Sequence, residues 1–200
     1  MTLKYEITPH RHPRSEHLFR IRALRDIPCY GVKRGDIGGY IQCEENLSQE
    51  GDCWVGDNAL VCDNARVSDN SCIVDHACIF DSAKAFAAAK VFGNAQAYGT
   101  ASVSGIAKVF GNAKVFEYTR IAGSAQVYGD ARVYYYAWLD DDVEINEKME
   151  ISGECYITSS SQIYYSEGIT AFFDKYHTLY VKGDPEDEEH FRTLARLKLL

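Results

Sequence analysis

A six-residue repeat constrains the fold of this chain more than any other feature of its sequence. Counting in sixes from Val55 to Ile163 gives nineteen positions, and seventeen of them are Val, Ile or Leu. Four residues after each of the first fourteen, from Ala59 to Ala137, stands a small residue, which is alanine in twelve cases. Asp or Gly dominates the second position after the aliphatic residue and Asn recurs at the third. Because these are turn-forming residues, each hexad predicts one strand and one tight corner.

The period of six predicts an all-β fold. An α-helix has 3.6 residues per turn and would spread a six-residue stripe around its surface, whereas β-branched residues between turn residues suit short strands. Three hexads close one triangular rung, so residues 55–168 predict a single-stranded parallel β-helix of about six rungs, stacked about 4.8 Å apart. The aliphatic and alanine side chains are predicted to point inward.

The remaining residues are predicted to cap the two ends of this coil, giving one folded unit in three parts. Residues 1–54 form an N-terminal cap of strands and turns, and the repeat slips between Leu47 and Val55, which are eight residues apart. Residues 169–200 predict a hairpin around Asp174 and Lys175, followed by a capping α-helix with acidic residues first and basic residues last. Caps of this kind shield strand edges that would otherwise pair with other molecules.

Charge and composition narrow the function classes. The net charge is -8, and residues 1–36 carry eight Lys/Arg against four Asp/Glu, so the rest of the chain sums to -12. An acidic body disfavours general nucleic-acid binding, which needs clustered basic charge. The sequence has no apolar run of eighteen residues and no signal peptide, which predicts a cytoplasmic protein without a membrane partner. The seven cysteines are expected to be free thiols.

Residues eighteen apart stack on one face of a triangular coil, so the repeat predicts which outward side chains are neighbours. The residue directly after the aliphatic gives an aromatic ladder on two faces and mostly small or polar residues on the third. The first ladder contains Phe80, Tyr98, Phe116 and Tyr134, and the second contains Phe92, Phe110 and Tyr128. Such rings stack to support neighbouring rungs, or form an interface, with Lys114 and Arg132 flanking the first ladder, and both interpretations can hold together.

Few residues suggest chemistry beyond binding. The acidic run Asp140, Asp141 and Asp142 is interpreted as a solvated face, with divalent-metal binding or a basic partner as the alternatives. His76 is the only histidine of the coil and the weak catalytic candidate, but it occupies a corner position that usually holds Asn. His10, His12 and His17 have a spacing compatible with a metal, but a mobile solvated segment is the favoured interpretation. No metal site is predicted.

Residues 91–96 (VFGNAQ) and 127–132 (VYGDAR) resemble the hexapeptide-repeat family, many members of which are trimeric acyltransferases. The resemblance implies a left-handed coil, a known exception to the right-handed rule for parallel crossovers. It also implies acetyl-CoA bound between subunits, with a histidine as base. Residues 18–24, 35–41 and 45–51, followed by the Ala-rich hexads, look like a group of uncharacterised bacterial and phage-associated β-helix proteins. These are often labelled acetyltransferases from the repeat alone.

The sequence therefore favours a non-catalytic β-helix interaction protein. It is expected to self-associate or to bind a protein partner through its aromatic faces, with no cofactor, and in a phage-type setting it would inhibit a host complex. The alternative is a trimeric hexapeptide acyltransferase that uses acetyl-CoA. That alternative requires a groove in which His76 of one chain meets polar residues of another, which an interaction protein does not need.

Overall fold

A computed structural model describes residues 3–159, 161–166, 169–173 and 179–182. Over these residues the chain is all-β, and stacked parallel strands form a β-solenoid of about seven turns. The described residues contain two single-turn 3-10 helices, Pro28–Tyr30 and Glu44–Asn46, and no α-helix. The parallel β-helix predicted from the repeat is confirmed.

The strands divide into an N-terminal group, the solenoid and a C-terminal group. The N-terminal strands are β1 (Tyr5–His12), β2 (Ser15–Ala23) and β3 (Ile37–Ile41). The solenoid strands are β4 (Trp54–Val55), β5 (Leu60–Val61), β6 (Arg66–Val67), β7 (Cys72–Ile73), β8 (Cys78–Ile79), β9 (Lys84–Ala85), β10 (Lys90–Val91), β11 (Gln96–Ala97), β12 (Ser102–Val103), β13 (Lys108–Val109), β14 (Lys114–Val115), β15 (Arg120–Ile121), β16 (Gln126–Val127), β17 (Arg132–Tyr134), β18 (Trp138–Leu139), β19 (Glu144–Ile145), β20 (Glu150–Ser152) and β21 (Tyr156–Ile157). The C-terminal strands are β22 (Gln162–Ser166), β23 (Ile169–Phe173) and β24 (Leu179–Lys182).

The solenoid strands assemble into three parallel sheets, which we call the first, second and third faces. The first face runs β5-β8-β11-β14-β17-β20, the second β4-β7-β10-β13-β16-β19 and the third β6-β9-β12-β15-β18-β21. Neighbouring strands pair residues eighteen apart, as in Val91 with Val109 on the second face. Three hexads therefore make one turn, as the repeat predicts.

Each solenoid corner turns on one residue in the left-handed backbone region, the second residue after the aliphatic position. Asp and Gly dominate this position because both tolerate a positive φ better than most residues do. Where it is Asp, the carboxylate also bonds to the next turn: Asp69 Oδ2 accepts the Ala87 N–H (2.8 Å), and Asp75 Oδ2 accepts the Gly93 N–H (2.8 Å). The early Asp corners thus fix the spacing between turns.

The inward side chains form a continuous core along the axis. The aliphatic and alanine positions are almost all fully buried, as are the two exceptions to alanine, Ser71 and Thr119. Their hydroxyls donate to backbone carbonyls of the corner three residues earlier, Ser71 to Ser68 O and Thr119 to Phe116 O, both at 2.7 Å. The small residue can therefore be polar wherever a local carbonyl accepts its proton.

The solenoid begins earlier than the sequence predicts. β3 pairs in parallel with β5, with Ile41 opposite Val61, and Leu47 forms a parallel bridge with Val67. Ile41, Leu47 and Val55 thus make the first turn, and the two additional residues before Val55 are accommodated within it. β1 and β2 pair antiparallel and extend the first face beyond β3. The cap is therefore continuous with the coil instead of a separate part that ends at residue 54.

The solenoid also ends earlier than predicted. Parallel stacking stops at β21, and β22, which carries the last counted aliphatic residue Ile163, pairs antiparallel with β23. β22 continues through Tyr165, the position at which earlier hexads turn their corner. β23 and β24 are antiparallel. The coil boundary at Gly168 was wrong, while the predicted turn at 174–175 and the capping helix lie outside the described residues.

Candidate functional site

The first aromatic ladder is a continuous stack. The ring centroids of Phe80, Tyr98, Phe116 and Tyr134 lie 4.9 Å apart and successive planes differ by 5° or less. Each ring is half-buried. Because neighbouring rings cover each other's faces, this geometry is the one expected of rings that stabilise adjacent turns of the solenoid.

Arg132 and the second ladder also make side-chain contacts within the chain. Arg132 pairs with Glu150 (3.8 Å), whereas Lys114 is half-buried beside it. The rings of Phe92, Phe110 and Tyr128 stack at 4.8 Å. The Tyr128 hydroxyl donates to Glu144 Oε2 (3.1 Å), which satisfies the polar end of that ladder.

The most exposed aromatic side chains lie elsewhere, on the third face and its edge. Tyr118 is 55% exposed, Tyr135 49%, Tyr136 47%, Phe86 37% and Trp138 36%. All of them except Phe86 stand at hexad positions other than the one directly after the inward aliphatic or alanine residue. The residue directly after the aliphatic is mostly small or polar on this face, as the sequence predicts, but that position alone does not reveal the aromatic residues at the other outward positions.

Tyr118, Tyr136 and Trp138 line a groove along the third face, which we call the third-face trough, while Tyr135 packs against Tyr136 at its edge. Its floor is the row of residues directly before the aliphatic positions, and each faces its neighbour one turn away in register. The floor residues are Lys84, Ser102, Arg120 and Trp138, and the wall residues are Ser82, Thr100, Tyr118 and Tyr136 on one side and Phe86, Ser104 and Ala122 on the other. The groove encloses about 860 Å³. It is concave because the short side chain of Ser102 separates the longer floor residues.

Ring contacts hold the aromatic half of the trough in place. Tyr118 and Tyr136 stack with centroids 4.7 Å apart, and Tyr135 meets Tyr136 edge-on at 4.9 Å. Trp138 stacks on Tyr156 at 4.5 Å, and the Arg120 guanidinium lies 5.6 Å from the Trp138 ring centroid. The exposed surface is therefore presented by side chains that are already ordered.

The other end of the trough carries two basic side chains that make no ion pair among the described residues, with acidic side chains beside them. A second groove of about 590 Å³ shares Lys84 and Phe86 with the first and continues to Arg66, Glu45 and Asp69. Within the described part of the chain, neither Arg66 nor Lys84 makes an ion pair. The pKa of Glu45 is lowered by hydrogen bonds from its own backbone and from Cys43, and to a lesser extent by Arg66.

The predicted acidic face lies at the opposite end of the trough. Asp140 accepts hydrogen bonds from the Tyr156 hydroxyl (3.0 Å) and from the Asp141 N–H (2.9 Å). Asp141 takes the left-handed corner conformation, and Asp142 is exposed beside it. The run of adjacent carboxylates therefore lies at one end of this face, whereas Arg66 and Lys84 lie at the other end with Glu44, Glu45 and Asp69 near them.

His76 is exposed at the corner between the second and first faces. Its backbone N–H donates to Gly93 O (2.9 Å), and its imidazole has no hydrogen-bond or ion-pair partner among the described residues. Cys72 and Cys78 lie in different sheets, as predicted. Residues 3–159 and the described segments after them contain no group of three His, Cys, Asp or Glu that could hold a metal ion.

The N-terminal histidines belong to the hairpin that caps the solenoid. The His12 ring meets Tyr40 edge-on with centroids 4.8 Å apart, and its Nδ1 accepts the Arg14 N–H (3.2 Å). His10 and His17 are exposed on the same hairpin. His12 thus has a packing role in the cap.

Comparison with known proteins adds no assignment. The chain matches no protein-family model and no curated protein. No helix in the described part of the chain is long and apolar enough to cross a membrane. The candidate site therefore rests on its own geometry.

Proposed function

We propose that this chain is a non-catalytic β-solenoid interaction protein that associates through the third-face trough. The observation that carries the proposal is the exposed aromatic cluster of Tyr118, Tyr135, Tyr136 and Trp138. Exposed aromatic residues concentrate binding energy in protein interfaces. Because stacking already orders these rings, they lose little side-chain entropy on binding.

The preferred occupant is a second copy of this chain. Arg66 and Lys84 lie at one end of the trough and Asp140 and Asp142 at the other. Two copies packed antiparallel about a two-fold axis set Arg66 and Lys84 of each chain against Asp140 and Asp142 of its partner. The same patch then serves both subunits, which is the usual arrangement in homodimers. Opposite charges also orient the two chains during association.

The proposal extends to a protein partner and to the cellular location. In a phage-type setting the same trough would engage a host complex and inhibit it, with a partner surface that offers carboxylates at the Arg66 end. All seven cysteines are free thiols, which fits the reducing cytoplasm. A catalytic histidine is normally oriented by a hydrogen-bonding partner, and His76 has none among the described residues. The geometry therefore favours binding over acyl transfer.

The decisive experiment is absolute mass by light scattering on a sizing column. We expect twice the chain mass of 22.5 kDa, falling toward the monomer as salt rises. Trp138→Ala should weaken association about thirtyfold, equivalent to about 2 kcal/mol for a central aromatic residue. Ile106→Ala is the matched control, because Ile106 is 62% exposed but does not line the trough.

Each other outcome has a defined meaning. A monomer at all concentrations contradicts self-association, and equal weakening by Ile106→Ala contradicts the trough as its location. A trimer whose melting temperature rises with acetyl-CoA supports the acyltransferase instead.

A further inference from the structure

The buried position of the Lys4 side chain is unusual for a lysine. Its side chain is fully buried, and its Nζ lies 2.9 Å from the Sγ of Cys53, which is also fully buried. Nζ also donates to Glu50 O (3.3 Å). Asp52 is nearby but pairs with Arg25 (3.0 Å). A buried ammonium without a paired carboxylate is unfavourable, so a lysine with only a structural role would destabilise the fold at this position.

The surroundings favour the uncharged forms of both groups. The carbonyl oxygens of Ser48, Glu50 and Val67 lie 3.6 to 3.7 Å from the Cys53 sulfur and disfavour a thiolate. Burial lowers the pKa of Lys4 and raises the pKa of Cys53, although the hydrogen bond between them opposes both shifts. The site therefore holds an amine in direct contact with a thiol.

We propose that Lys4 and Cys53 form a modification site at which molecular oxygen joins the two side chains through one bridging oxygen atom, Nζ–O–Sγ. One N–H and one S–H bond break, and one N–O and one O–S bond form. Dioxygen accepts four electrons: one of its atoms enters the bridge and the other leaves as water with the two hydrogens. The 2.9 Å separation is close to what one bridging oxygen spans, whereas a direct N–S bond needs a much larger approach.

The bridge would fasten the cap to the solenoid. Lys4 directly precedes β1, and Cys53 directly precedes β4 in the first turn. The two residues are 49 positions apart, so a covalent link closes a long loop and restricts the unfolded chain. The oxidised protein should therefore unfold at a higher urea concentration than the reduced protein. This inference is independent of the proposed function.

The test is intact mass spectrometry of the full chain purified in air without a thiol reductant, and of the same chain purified anaerobically with one. In air we expect a gain of one oxygen with loss of two hydrogens, reversed by excess dithiol. Cleavage at arginines should then release residues 1–11 joined to residues 35–66. Lys4→Met and Cys53→Ala should each abolish the mass change. Cys72→Ala is the matched control and should retain it, since Cys72 is a buried thiol that pairs in register with Lys90.

Three results overturn the proposal. One is an unchanged mass in air for the folded wild-type chain. Another is a gain of whole oxygen atoms on Cys53 that persists in Lys4→Met, which indicates ordinary thiol oxidation. The third is a loss of two hydrogens without added oxygen, which indicates a direct N–S bond. If either variant does not fold, the wild-type mass and its cross-linked peptides still decide.

Discussion

Replacing Phe116 by alanine should destabilise the fold more than it weakens association. Phe116 is half-buried between Tyr98 and Tyr134, with both centroid distances at 4.9 Å. Loss of two stacked pairs removes about 1–3 kcal/mol, and loss of a half-buried phenyl group adds about 1 kcal/mol. The free energy of unfolding should therefore fall by about 2–4 kcal/mol. Tyr118→Ala is the comparison, because Tyr118 is exposed and stacks only on Tyr136, so its loss should be about 1 kcal/mol.

Urea unfolding followed by circular dichroism measures both variants, with the midpoint interpreted at an unchanged slope. The molecular mass of each variant is measured in the same buffer without urea. The reasoning is refuted if Phe116→Ala unfolds at the wild-type midpoint while its dimer dissociates. In that event the first ladder is an interface, and the third-face trough is not needed to explain association.

Two further substitutions test the geometry of the solenoid itself. Gly105→Ala should lower the urea midpoint more than Gly93→Ala. Both glycines have a positive φ, where alanine costs about 1–2 kcal/mol, but the new Cβ lies 2.5 Å from Gly123 O at position 105 and 3.0 Å from its nearest backbone atom at position 93. Equal losses of stability would show that the closer contact relaxes freely. Ala113→Leu should lower the thermal midpoint, because overpacking the axis costs about 1–3 kcal/mol. The control Ala88→Leu, at a partly exposed corner, should have little effect. An unchanged midpoint for Ala113→Leu would reveal unfilled space inside the coil.

The regular part of the fold follows from the sequence because each turn repeats the same physical problem. Val91 and Val109 pair one turn apart because three hexads make one turn, as they do at the other aliphatic positions. A count in sixes therefore finds such pairs. The count in sixes misplaced both ends of the solenoid, because the strands there do not follow the six-residue spacing. Leu47 joins the first turn across an eight-residue step, and Ile163 leaves the coil although it fits the count.

Predicting the ladders from the sequence requires one position of the hexad, whereas predicting the trough requires several. Phe80 and Tyr98 occupy one repeated position, and their stacking follows from the eighteen-residue spacing. Tyr136 and Trp138 stand on opposite sides of an alanine, at two different positions of the repeat. Their proximity on one face becomes predictable only when every outward position of the hexad is placed on the triangular section. The signal was present in the sequence.

A repeating coil alone presents flat faces, so a groove must come from departures from the repeat. The third-face trough is deep where Ser102 interrupts a floor of long side chains, and it is walled where Tyr118 and Phe86 replace the short residues of neighbouring turns. These substitutions leave the core unchanged, since Val103 and Ala101 beside Ser102 remain fully buried. In a solenoid, selection on binding can therefore act on outward residues with little effect on the fold. For this chain the aperiodic residues of one face are the first place to look for function.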